Sequence, residues 1–252
     1  MTTKIALITG GSRGLGKSMA LHLAEKGVDI IITYNSKKEE ANEVVSQIEK
    51  LGRKAHALQL NVENSKTFGD FAGQVGGILK NKWQRENFNF LVNNAGIGIN
   101  VSIMETTEEQ FDQLTNIHFK GVFFLTQKLL PLMSDGGRII NISSGLARFS
   151  FPGYSVYGAL KGAIEVMTRY MAKELGPRRI AVNTIAPGPI ETDFRGGDVR
   201  DNKEMNKALA AQTSLGRVGL PDDVGGAVAA LLSDESGWIN AQRIEVSGGI
   251  MI

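Results

Sequence analysis

The chain has 252 residues, 42% of them apolar and 21% charged, with a net charge of +2. This composition suits a single globular domain over 1–252, and it excludes a disordered chain and any charge excess suited to nucleic acid or a membrane surface. Cysteine is absent, which excludes disulfides and thiolate metal sites, and no apolar run is long enough to span a bilayer.

The opening MTTKIALITGG turns to glycine after one short apolar run, without the apolar core of a signal peptide, so a cytoplasmic location is expected. Residues 5–8 read as a buried strand, 10–16 as a glycine loop and 17–26 as a helix. A second strand over 29–33 is followed by a helix over 39–51 and a third strand over 55–60. Residues 80–89, KNKWQRENFN, read as a solvated connection. Further strands are expected over 88–92, 138–142, 180–185 and 244–246, with a turn at 133–137, MSDGG. Residues 196–215 are polar and read as a candidate lid. Strand and helix alternate throughout, which predicts an α/β, Rossmann-type doubly wound parallel sheet of about seven strands with helices on both faces.

The first strand runs through TGGSRGLG, residues 9–16, into a helix. Glycine lets the backbone turn tightly and approach a pyrophosphate, and the helix N-terminus offers free N–H groups to it. The spacing places glycine at Gly10, Gly14 and Gly16 and differs from G-x-G-x-x-G. Binders of the non-phosphorylated dinucleotide place an acid at the tip of the second strand. Here the tip reads Tyr34, Asn35, Ser36, with Arg13, Lys37 and Lys38 nearby. A neutral tip beside basic groups suits a 2′-phosphate, hence NADP over NAD, although Lys37 and Lys38 equally suit a solvated helix start.

Tyr157 and Lys161 stand four apart in a helical stretch, 156–175, so they share one face. A phenol has an ordinary pKa of about 10, and a nearby ammonium favours its ionised form. The pair could therefore be an acid–base device, although such pairs are also common on surfaces. Tyr154 has Gly158 four residues on and lacks the lysine. The strand over 138–142 delivers Ser143 and Ser144 to the sheet edge where ligands bind in open α/β folds. His22, His56 and His118 are scattered, so no metal site is expected.

Taken together and in this order, these motifs resemble the classical short-chain dehydrogenase/reductase family over nearly the whole chain. Besides the glycine loop, NNAG at 93–96, an asparagine at Asn116 in LTNIHFKG, the Tyr157-x-x-x-Lys161 pair and PGPIET at 187–192 match its pattern. The family's separation of thirteen residues before the tyrosine selects Ser144 over Ser143. The resemblance implies a carbonyl–alcohol oxidoreductase, with 3-oxoacyl-carrier-protein reductase or sugar dehydrogenase as named alternatives and a non-catalytic nucleotide-sensing protein as a remote one. It makes Tyr157 the general acid and base, and Lys161 the holder of the nicotinamide ribose that lowers the tyrosine pKa. Ser144 would orient the carbonyl, and Asn116 would position a water through its backbone. Cofactor contacts would come from Gly10, Ser12, Arg13, Gly14, Leu15, Gly16, Tyr34, Asn35, Ser36, Asn61, Val62, Asn93, Ala95, Gly96, Pro187, Gly188, Ile190 and Thr192. Helices 119–130 and 156–175 would form the pairing surface of a homotetramer, with Trp238 in another contact. A carrier-protein role would need a basic patch, to which Arg178 and Arg179 could contribute. Ser247 stands where the family usually has aspartate.

Overall fold

The computed structural model describes residues 3–252. Chain order is β1 (Ile5–Ile8), α1 (Gly14–Glu25), β2 (Asp29–Tyr34), α2 (Lys38–Lys50), β3 (Ala55–Gln59), α3 (Phe68–Ile78) and β4 (Phe88–Asn93). Then come α4 (Glu108–Thr115), α5 (Gly121–Leu129), β5 (Met133–Ile142), α6 (Ser155–Glu174) and β6 (Ala181–Pro187), and lastly α7 (Asp198–Asp201), α8 (Lys203–Ala211), α9 (Pro221–Leu231) and β7 (Arg243–Val246). All seven strands pair in parallel in the order β3-β2-β1-β4-β5-β6-β7. The order reverses between β1 and β4, and ligands bind at such a reversal, beyond the carboxyl ends of the strands.

Each strand has one residue set for each face, as the period of two requires. Ala6, Ile8, Ile30 and Ile32 pack with Met19, Leu23, Val44, Ile48, Val224 and Val228 of α1, α2 and α9. Ile5, Leu7 and Ile31 pack on the other face with Phe68, Phe71, Val75, Leu125, Leu129 and Ala172 of α3, α5 and α6. A sheet covered on both sides explains why its strands read as unbroken apolar runs.

Two sequence expectations need correction. Residues 133–137 are the start of β5 and not a turn. Met133 pairs with Phe88, a register shift intervenes, and Arg138 resumes against Phe90. Gly136 sits at φ +73°, which bends the strand where a side chain would be strained. Nor is 80–89 simply a solvated connection. Leu79–Trp83 continues α3 as a π turn, and Leu79 and Trp83 are both buried. The Trp83 indole N–H donates to buried Asp29 Oδ2 at 2.8 Å. This segment is a tertiary tie between α3 and the start of β2.

Candidate active site

The carboxyl ends of the strands open into one cavity of about 910 Å³, within the range of small-molecule sites. One end is made of backbone. Thr9 closes β1, and its hydroxyl accepts from the N–H groups of Asn94 (2.9 Å) and Ala95 (3.0 Å). The Asn94 amide donates back to Thr9 O at 2.8 Å. The glycine loop is thereby pinned to the end of β4, and Gly10 N–H donates to Thr33 Oγ1 at 3.2 Å. Gly10 and Gly14 have φ +66° and +53°, and a Cβ on Gly16 would come within 2.2 Å of Gly10 O. Arg13 caps α1 without a side-chain hydrogen bond, and the first turn holds no acid. The helix therefore presents its free N–H groups and positive end to the cavity.

Around this cradle the wall includes Gly10, Ser12, Arg13, Gly14, Leu15 and Gly16. Tyr34, Asn35 and Ser36 lie at the β2 tip, and Asn61 and Val62 come just after β3. Ala95 and Gly96 lie just beyond β4, and Pro187, Gly188, Ile190 and Thr192 at and beyond the end of β6. A Cβ on Gly188 would meet Ser247 Cα at 2.9 Å. Arg13 is exposed. Lys37 is on the wall and pairs with Glu40 at 3.7 Å, whereas Lys38 begins α2 away from it.

Asn93 and Asn116 are not on that wall. Asn93 is buried, and its amide donates to Thr126 Oγ1 (3.0 Å) and Asn141 Oδ1 (2.8 Å), which holds β4 to α5 and β5. Its neighbour Asn94 faces the cavity instead. Asn116 stands at the end of α4, is half-buried, and its carbonyl accepts the N–H of Gly121 across a π turn, Asn116–Lys120. Two residues further on, His118 occupies the wall.

At the centre, α6 presents Tyr157 and Lys161 on its buried face, and β5 brings Ser144 opposite. Burial pushes Tyr157 up to about 12, opposed by a hydrogen bond with the Ser144 hydroxyl. Lys161 Nζ donates to Ile142 O at 2.7 Å and lies 5.5 Å from the Tyr157 ring centre. Burial pushes Lys161 down to about 7. Desolvation thus outweighs the acidifying effect that the Tyr–Lys spacing suggests, and the phenol is held in its proton-bearing form. Ser143 is also on the wall, but its buried hydroxyl donates to Glu165 Oε1 at 2.7 Å, and Glu165 is also bonded by Arg243 at 2.6 Å.

The far end is built from side chains. Phe149, Phe151, Tyr154, Phe194, Met205 and Leu209 line it, together with Arg195. The rings of Tyr154 and Phe194 lie 6.4 and 6.0 Å from that of Tyr157. Arg195 sits over the Tyr154 ring at 5.2 Å, donates to its hydroxyl, and pairs with Asp198 at 3.1 Å. It has φ +55°, and Gly196 and Gly197 come next at +75° and +93°. The candidate lid over 196–215 is therefore entered through three left-handed residues, Arg195, Gly196 and Gly197, beside Phe194 and Arg195 on the cavity wall. Neither Arg195 nor His118 carries a sequence signal beyond its position in a loop or helix.

A family model described as enoyl-(acyl carrier protein) reductase matches residues 10–251. A tetrahydroxynaphthalene reductase of Pestalotiopsis fici is 38% identical over 257 residues, covering 98% of this chain and 91% of that protein. The structure of LugOII, a promiscuous reductase that catalyses keto-reduction at C1 in lugdunomycin biosynthesis, superposes with a TM-score of 0.94 at 37% identity, covering 100% and 99% of the two chains. That of the landomycin C-6 ketoreductase LanV with NADP and rabelomycin gives 0.89 at 34% identity, covering 98% and 96%. The chain belongs to the short-chain dehydrogenase/reductase family, oxidoreductases that interconvert carbonyls and alcohols.

Proposed function

We propose that this protein is an NADPH-dependent ketoreductase acting on a planar aromatic ketone, with Tyr157 as its proton donor. The observation that carries the reading is the position of Tyr157 and Ser144 where the backbone cradle meets the aromatic chamber, within one cavity. The cradle fits a dinucleotide: side chains are excluded at Gly10, Gly14 and Gly16, and the N-terminus of α1 is left for the pyrophosphate. The β2 tip has no carboxylate to repel a 2′-phosphate, and exposed Arg13 stands at the same end. LanV, with NADP in its structure, is a relative that supports this choice.

The cofactor supplies the hydride. Ser144 and Tyr157 are hydrogen-bonded neighbours, and a carbonyl oxygen seated between them would take a hydrogen bond from each hydroxyl, which polarises it and fixes its orientation. Tyr157 gives its proton to that oxygen, and its high pKa keeps the proton available across neutral pH. Lys161, poised to about 7, exchanges protons at the working pH and is placed to hold the nicotinamide ribose.

The carrier-protein alternative has its basic residues engaged or far from the cavity. Arg178 is bonded to Asp135 at 2.7 Å and to the Leu130 and Met133 carbonyls, at the edge of the sheet opposite the cavity. A sugar would leave the apolar chamber unfilled. We infer in addition a cytoplasmic homotetramer. Phe111, Phe123, Phe124, Val166 and Tyr170 leave apolar surface on α4, α5 and α6, Trp238 is fully exposed near β7, and no helix among the described residues could cross a membrane. Initial rates of NADPH oxidation with 1-tetralone, hydroxylated naphthoquinones, a 3-oxoacyl thioester and an aldose test the substrate class. The aromatic ketones should give the highest kcat/KM, and a preference for the thioester or the sugar would refute the assignment.

A further inference from the structure

Tyr154 stands just before α6, and its ring lies 6.4 Å from the Tyr157 ring at 68°. Both tyrosines are on the cavity wall. Arg195 reaches Tyr154 from the loop after β6. Its Nη1 donates to the Tyr154 hydroxyl, and its guanidinium lies over the ring at 5.2 Å. The contact is built into the backbone. Arg195 has φ +55°, a left-handed conformation that a non-glycine residue keeps only where its surroundings hold it. Gly98 leaves the seat, since a Cβ there would come within 2.6 Å of the Phe194 ring and 2.8 Å of Arg195 Cγ.

A guanidinium has donors and no acceptor, so the Tyr154 oxygen accepts in this contact. The proton of the tyrosine must then point elsewhere, and no group among the described residues accepts it. The neighbouring side chains on this end of the wall, Phe149, Phe151, Phe194, Met205 and Leu209, are apolar. When a ligand displaces water from such a surface, the O–H loses its partner unless the ligand brings an oxygen to it. The charge balance decides which kind of oxygen. Arg195 pairs with Asp198 at 3.1 Å, and Asp193, also on the wall, is bonded by Arg200. The charge on Arg195 is thus already matched, and a carboxylate would meet two acids there. An uncharged carbonyl or hydroxyl oxygen instead gains a hydrogen bond from a phenol that the guanidinium polarises.

We propose that the Tyr154 hydroxyl, held by Arg195, is a second donor site of the cavity, and that the substrate is an aromatic ketone carrying a second, uncharged oxygen. This rests on the ketoreductase reading above. The ketone oxygen sits between Ser144 and Tyr157, the second oxygen accepts from Tyr154, and the ring system bridges them. Two fixed oxygens set which edge and which face of the molecule meet the cofactor. Tyr154 is therefore a specificity residue, and no proton passes through it.

Initial rates with NADPH are compared for 1-tetralone, its monohydroxy isomers and its monocarboxy isomers. The best hydroxy isomer should exceed 1-tetralone about tenfold in kcat/KM, the worth of one hydrogen bond from a polarised donor. The carboxylates should not exceed 1-tetralone. Tyr154→Phe keeps the ring and removes the hydroxyl, and should bring the hydroxy-to-unsubstituted ratio to within about twofold of unity. Arg195→Ala should lower the ratio to about threefold. A parent ratio near unity, a preference for a carboxylate, or a ratio unchanged in Tyr154→Phe overturns the proposal, and the first two need no variant to fold. A second arm needs no turnover: calorimetric binding of 1-naphthol and the dihydroxynaphthalenes, with and without NADP. The best diol should bind about tenfold tighter than 1-naphthol, and Tyr154→Phe should erase that margin. The margin without turnover of any ketone would keep the Tyr154 site and refute the ketoreductase reading. Turnover of 1-tetralone without the margin would refute the Tyr154 site and leave that reading standing.

Discussion

The two ends of the cavity are made in different ways. The glycine-loop end is backbone. Its shape comes from glycines whose missing Cβ atoms leave room, from the open end of α1, and from Thr9 and Asn94 tying two adjacent strands. The aromatic end is side chains from two loops far apart in sequence, one before α6 with Phe149 and Tyr154 and one after β6 with Phe194, joined by Met205 and Leu209 of α8 and held by the contact of Arg195 with Tyr154. A backbone-built surface tolerates almost any neighbour that keeps its glycines. A side-chain-built surface changes with each substitution, so one scaffold can keep a common cofactor while its substrate varies.

That contrast can be broken first where the two ends meet. Tyr157→Phe removes only the hydroxyl and should cut kcat by about 100- to 10,000-fold. NADPH affinity, tracked by fluorescence titration, should be unchanged, and near-parental kcat would remove Tyr157 from the chemistry. In the cradle, Gly16→Ala forces a Cβ to 2.2 Å from Gly10 O. Overpacking of that kind costs about 1–3 kcal/mol, or roughly 5- to 150-fold in NADPH affinity, with KM for the ketone the less affected constant. Normal NADPH binding by this variant would mean that the loop is not the phosphate cradle.

Arg13→Ala should weaken NADPH by up to about tenfold and NADH hardly at all, a difference that shrinks as salt is raised because the group is exposed. Equal losses for both cofactors would show that Arg13 does not read the 2′-phosphate. In the chamber, Arg195→Ala should raise KM for the aromatic ketone about fivefold, the worth of one contact near 1 kcal/mol, with NADPH affinity unmoved. A shift in NADPH affinity there would erase the division between the two ends.

A smaller effect separates catalysis from stability. Lys161 is pushed from 10.5 down to about 7. Between those values the unfolded chain holds a proton that the folded protein has released, so stability rises with pH across this window and is lowered below it. Lys161→Met should flatten that segment of the stability–pH curve and raise Tm at pH 6–7 while abolishing turnover. A lower Tm at pH 6–7 would show that the ammonium is well compensated where it sits.

Seven parallel strands and the glycine loop were legible because each rests on local chemistry: apolar runs of strand length, glycines at a loop, a helix directly after. That Ser144, Tyr157 and Lys161 would share one cavity wall was legible because Lys161 stands four residues after Tyr157 and Ser144 ends the preceding strand. Residues 80–89 misread as solvent-facing because Trp83 owes its burial to Asp29, 54 residues earlier. Residues 133–137 misread as a turn because the pairing that makes them a strand comes from Phe88.

The position of Asn116 off the cavity wall has a different cause. A pattern match counts residues along the chain, but a π turn adds a residue to the helical turn and so changes which side chain faces inward. Whether Asn116 or His118 meets Ile97 depends on that rotation and on the space left by Gly96, and neither is a property of the segment alone. By itself the sequence determined the sheet, the cradle and the Tyr157–Lys161 pair, since these rest on propensity, period and spacing. Tertiary structure alone decided the chamber, the inward histidine and the raised and lowered pKa values of Tyr157 and Lys161. Those depend on how far each group is removed from water, and only packing between distant segments sets that distance.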